Sequence, residues 1–79
     1  MVLNFLFFGA IADEIGTRSR EITLKDGIDA HVGLDQIMNE FPVLRGYQLR
    51  FAVNQEYVAD DRVLNDGDEL AIFTAVSGG

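Results

Sequence analysis

Cysteine is absent from the 79 residues. A disulfide, a cysteine nucleophile, a thiolate zinc site and a side-chain persulfide are therefore excluded. That absence fits a reducing compartment, and a cytoplasmic location is the expectation. Histidine occurs once, as His31. At the start of a helical segment it reads as a cap or a solvated side chain rather than a catalytic base. The sequence holds no G-x-G-x-x-G, no P-loop and no H-E-x-x-H. Asp60-Asp61, and Asp66 with Asp68 and Glu69, are acidic groups in turn segments, where Asp is favoured for local hydrogen bonding. They read as solvated turns. No metal site, no bound cofactor and no autonomous active site is expected.

Basic residues are also scarce: 6 Lys and Arg stand against 13 Asp and Glu, a formal net charge of -7. Nucleic acid and anionic membrane both demand clustered cations, so neither is expected as a partner. A basic protein surface is the natural complement, although the charge also serves solubility. The opening "MVLNFLFFGAIADE" is apolar, and its "AIA" mimics a signal-peptidase site. Yet the first cation is Arg18, Asn4 and Gly9 interrupt the run, and it is too short to span a bilayer. It reads as a core strand.

What is present is a folded domain, 48% hydrophobic and 24% charged. Residues 2–8 form a nearly continuous apolar strand ended by Gly9. "AIADEIG" predicts one helical turn closed by Gly16. "SREITL" alternates as a second strand, in a hairpin with the first. Leu34, Ile37, Met38 and Phe41 recur at i, i+3, i+4 and i+7, one apolar stripe of a helix. Asp29 or His31 would cap its start, Pro42 would stop it, and Gly33 inside it costs about 1 kcal/mol against Ala. "RFAVN", a short "EYVA" and "ELAIF" complete the strands, the last reached through the turn "NDGD". One main helix packed on one face of a mixed sheet, an α+β layer arrangement spanning 1–79, is the expected fold.

Period-two alternation assigns faces. Leu70 and Ile72 would meet the helix, leaving Phe73 outward with Ala71 and Glu69. Leu3, Phe5 and Phe7 alternate together, leaving Phe8 with Asn4 and Leu6. Tyr57 falls on the outward side of the short strand. Phe8, Tyr57 and Phe73 thus make one candidate aromatic face, suited to a protein partner. A second small core or scattered exposure would give the same pattern.

After the last strand a flexible tail, residues 74–79, is expected, ending in Gly78-Gly79. Lacking side chains, the pair could enter a narrow channel of another protein. A terminal carboxylate can be activated as an acyl-adenylate and attacked by a nucleophile with little steric hindrance.

The stretches "LFFGAIADEIG", "AVNQEYV" and "LNDGDELAIFTAVSGG" together resemble the small sulfur-carrier subunit of molybdopterin synthase, the MoaD type within the MoaD/ThiS family. The resemblance runs over the whole chain and is weakest in the central helix. It implies a ubiquitin-like β-grasp fold. It also implies that Gly79 is adenylated, at the expense of ATP, by a partner of the ubiquitin-activating type and then becomes a thiocarboxylate. The tail, Val76, Ser77 and Gly78 included, would insert into the large synthase subunit of a heterotetramer. Gly79 would there donate sulfur to a cyclic pyranopterin phosphate, on the way to the dithiolene of the molybdenum cofactor. By this likeness the chain is a non-catalytic subunit, and Phe8, Tyr57 and Phe73 match the contacts to the large subunit.

The chain departs from that family in its tail, where Thr74-Ala75 stand in place of two prolines. This leaves the segment less pre-extended and its ordering more costly, a trait nearer to carriers for thiazole synthesis. Those carriers, however, usually lack the segment that "AIADEIG" fills. A ubiquitin-like modifier joined through Gly79 to lysines would need the same fold, tail and adenylation.

Overall fold

Apolar alternation and two glycine-made corners shape the first half of the chain. The computed structural model describes residues 1–74; the expectations placed on Val76, Ser77, Gly78 and Gly79 lie outside the described residues. Strand β1 (Val2–Phe7) buries Leu3, Phe5 and Phe7, the alternate residues read as inward. At Gly9 the backbone takes φ +65, a conformation that side-chain-bearing residues rarely adopt. The chain turns there into α1 (Ala10–Ile15), which Gly16 closes in the left-handed region with its amide on the Ala12 carbonyl. Strand β2 (Ser19–Thr23) returns antiparallel to β1, with Leu3 opposite Ile22.

Helix α2 (Ala30–Glu40) begins at Asp29, whose carboxylate accepts the Val32 amide at 2.9 Å. The cap is therefore Asp29; His31 is exposed, its backbone amide donating to the Asp60 carbonyl. Phe41 lies just past the helix and packs edge-on against Phe7 at 5.7 Å. Pro42 opens a 3-10 turn (Pro42–Gly46) that buries Leu44. Nearby, the Tyr47 hydroxyl donates to the Glu14 carboxylate. That bond, with some burial and the negative charge, raises the phenol's pKa.

Strands β3 (Leu49–Val53) and β4 (Glu69–Thr74) complete a mixed sheet of order β2-β1-β4-β3, with β1 and β4 parallel at its centre. The expected short strand at "EYVA" is not formed. Val53 and Glu56 make only an isolated bridge, and Tyr57 lies in the segment beyond it. Thr74, assigned to the tail from sequence, instead closes β4 opposite Leu49.

The core lies between the sheet and α2, built from Leu3, Phe5, Val53, Leu70 and Ile72 against Ile37, Ile11 and Leu64. Gly33 explains the close approach of the helix to the loop before β4. A Cβ there would sit 2.8 Å from Leu64 Cδ1, tighter than packed carbons tolerate. The residue that weakens the isolated helix is the one that lets the helix seat. Among the described residues no helix is long and apolar enough to cross a membrane.

Candidate functional site

The register of the sheet sorts its outward face into rows. Glu21, Asn4 and Glu69 lie side by side where β4 begins. Ser19, Leu6, Ala71 and Ala52 form the middle row, and Phe73 pairs with Arg50 near the end of β4. The face thus grades from acidic at the start of the central strand to aromatic where the chain leaves it.

Phe8 sits one residue past β1, its amide donating to the Ile72 carbonyl at 3.2 Å, which places it beside the end of β4. Its side chain is 50% exposed. Tyr57 is 76% exposed and contacts Phe73 edge-to-face, with ring centroids 6.1 Å apart. Offset and edge-on geometries are the favoured ones for aromatic pairs. The three aromatics read as outward are therefore all on the outward side, and two of them touch. An open groove of about 420 Å³ runs beside Phe8 between Leu6, Asp13 and Arg18, and one of about 560 Å³ lies between Arg50, Phe51 and Tyr57. Asp13 and Arg18 line the first, and Arg50 and Asp60 the second. Among the described residues no group of His, Asp and Glu could hold a metal ion.

The sequence did not disclose the turn that precedes Tyr57. Residues 53–56 form a tight turn in which Val53 and Glu56 exchange both backbone hydrogen bonds, at 2.9 and 3.0 Å. Its central residues, Asn54 and Gln55, have φ +49 and +69. Two positive φ values in a two-residue loop match the twist of the flanking strands. A non-glycine residue held there is strained by roughly 1–2 kcal/mol. Asn54 is compensated: its amide nitrogen donates to Asp68 Oδ1 at 2.8 Å and its carbonyl oxygen accepts the Glu69 amide at 3.0 Å. Asp68, read as a solvated turn residue, is 7% exposed, and its second oxygen accepts the Asn65 amide at 2.8 Å. The acidic turn before β4 is an internal clasp. Its signal in the sequence was the pairing of "VNQ" with "NDGD", two turn motifs that meet only in the folded sheet.

The ThiS family model matches residues 5–79. The molybdopterin synthase sulfur carrier subunit of Mycobacterium tuberculosis is 35% identical over 80 residues, covering 98% of this chain and 96% of that protein. Among solved structures, SAMP1 from Haloferax volcanii superposes with a TM-score of 0.87 at 25% identity, covering 100% of both chains. The complex of subunits 1 and 2 of the molybdopterin-converting factor from Helicobacter pylori 26695 gives 0.71 at 24% identity, covering 100% of both chains. The ubiquitin-like β-grasp fold expected from sequence is the fold these likenesses share.

Proposed function

The chain belongs to the ThiS family, alongside the molybdopterin synthase sulfur carrier subunits, and from that premise we propose that it carries sulfur on Gly79 for molybdenum-cofactor synthesis. The observation that carries this reading is the course of β4. The central strand ends at Thr74 beside Phe8, Phe73 and Tyr57, and the sequence continues through Ala75, Val76 and Ser77 to Gly78-Gly79. A partner seated on the aromatic face would receive the following residues directly.

The chemistry then belongs to the partners. An adenylating enzyme of the ubiquitin-activating type joins the Gly79 carboxylate to the α-phosphate of ATP, releasing pyrophosphate. A sulfur nucleophile attacks the acyl carbon, AMP leaves, and a thiocarboxylate results. The large synthase subunit binds the aromatic face in a heterotetramer, admits Val76, Ser77 and Gly78, and presents the thiocarboxylate to a cyclic pyranopterin phosphate. The absence of cysteine leaves the terminal carbonyl as the place for that sulfur. A cytoplasmic setting suits these partners.

Intact mass spectrometry of the chain co-expressed with its activating enzyme tests the proposal. A species heavier by one oxygen-to-sulfur exchange, localised to Gly79, is expected. Deleting Gly79 abolishes it and molybdopterin synthesis, while the melting temperature stays unchanged. Synthesis that survives the deletion overturns the reading. The likeness to SAMP1, the small archaeal modifier protein 1, favours a second reading, a modifier joined to lysines. That reading predicts higher-mass conjugates in lysate, also lost with Gly79.

A further inference from the structure

Tyr57 is the most exposed aromatic of the outward face, and little holds it. Among the described residues neither its backbone nor its hydroxyl takes a hydrogen bond; its ring touches Phe73, and the next residue, Val58, packs partly against the core. The last hydrogen-bonded anchor before it is the turn at residues 53–56, and the next are the Ala59 carbonyl, which accepts the Arg62 amide, and the Asp60 carbonyl, which accepts the His31 amide. The direction in which the chain leaves that turn therefore governs where the Tyr57 ring stands.

The turn is clasped from one side chain. Asn54 bridges the buried Asp68 carboxylate and the Glu69 amide, and its own backbone amide donates to the Glu69 carbonyl at 2.8 Å. Asn54 is itself exposed, but Asp68 is buried, and a buried carboxylate favours the geometry that satisfies it, because an alternative leaves it short of a partner in a poorly solvated place. Gln55 is different. It is exposed, as Asn54 is, but among the described residues its side chain makes no hydrogen bond. The clasp, not the turn residues in general, sets the conformation.

We propose that Asn54 is a positioning residue for partner docking: held by Asp68 and Glu69, it fixes the turn that stands Tyr57 against Phe73 in the arrangement the partner receives. This rests on the reading that the aromatic face docks the large synthase subunit. Pre-organising an exposed aromatic removes part of the ordering cost of association, so loss of the clasp weakens binding without removing any contact to the partner.

The test is a double-mutant cycle on affinity for the large subunit, measured by calorimetry with the full chain. Asn54→Gly keeps a residue that tolerates positive φ while deleting the clasp. It is expected to weaken binding about tenfold, and the effect is expected to vanish in a Tyr57→Ala background. Gln55→Gly, which keeps the clasp, is expected to bind as the wild type does. In NMR spectra the Tyr57–Phe73 ring contact persists in Gln55→Gly and is lost in Asn54→Gly. Should Asn54→Gly not fold, Asp68→Asn, which places an amide against the same donors, is expected to behave likewise. Wild-type affinity in the clasp variant, a loss that adds fully to that of Tyr57→Ala, or a ring contact that persists, overturns the proposal. Failure of the wild-type chain to bind the large subunit instead overturns the docking reading, and the ring contact alone then decides whether Asn54 positions Tyr57.

Discussion

The two faces of the sheet come from the same four strands, residue by alternate residue, yet they are built on opposite terms. On the helix side Leu3, Phe5, Leu70, Ile72 and Val53 are buried, and α2 seats closely at Gly33 against Leu64 and Leu70. On the other side Phe8 and Tyr57 stay exposed, and the clasp that orders this side is polar. Apolar burial is non-directional and scales with area, so the helix side gains stability from volume. Hydrogen bonds add little net stability but fix direction. That suits the docking role proposed for this surface. The contrast is sharpest between neighbours in one strand: Ile72 is fully buried, whereas Phe73 faces outward against Tyr57.

Ile72→Ala and Phe73→Ala, made side by side, would break the contrast if the two faces did the same work. Removing a fully buried branched side chain leaves a cavity and costs about 2–5 kcal/mol. In a domain of this size, each kcal/mol lowers Tm by roughly 4–8 °C. Phe73→Ala forfeits mainly its edge contact with Tyr57, about 1 kcal/mol. Its larger effect falls on affinity for the large subunit. Urea unfolding and calorimetry measure the two quantities separately. Equal stability losses for the two variants would mean that Phe73 belongs to a second core rather than to a docking face.

Gly33→Val probes the helix side alone. The new Cβ would sit 2.8 Å from Leu64 Cδ1, and the added methyl groups overfill a site already closed by the buried Leu64. The expected loss is about 2 kcal/mol by urea unfolding, with partner affinity unchanged. Gly33→Ala is gentler, because the helix propensity gained, about 1 kcal/mol, offsets much of a clash with the end of one side chain.

The helix side was legible in the sequence because its signals are local. A period of two in β1 and β4, and a stripe at i, i+3, i+4 and i+7 in α2, state the burial directly. Gly33 was visible only as a cost, since Leu64, the residue that explains it, comes from a distant loop. Asp29 and His31 stood as equal capping candidates until the Val32 amide at 2.9 Å decided for Asp29. On the outward side the directions of Phe8 and Phe73 followed from alternation; Tyr57 is exposed as expected, but the strand assumed to carry it is absent, so alternation is not the reason. The turn at residues 53–56 escaped because "NQ" lacks the glycine that usually announces two positive φ values, while "EYVA" has strand-like composition. Asp68 was read as solvated because its partner Asn54 lies in a different turn.

Gln55→Gly tests the outward side at its smallest scale. Gln55 holds φ +69 with no compensating hydrogen bond among the described residues, a strain of roughly 1–2 kcal/mol. Glycine removes it but enlarges the conformational freedom of the unfolded chain, which costs about 0.4–1 kcal/mol. The strain is the larger of the two, so a net gain of about 0.5 kcal/mol is expected in urea unfolding. Gln55→Ala supplies the control: alanine carries a Cβ and keeps the strain, so no such gain is expected. If both substitutions stabilise equally, the gain comes from loss of the glutamine side chain rather than from relief at the backbone. If neither does, the turn is not strained at this position, and the clasp at Asn54 has less to hold in place.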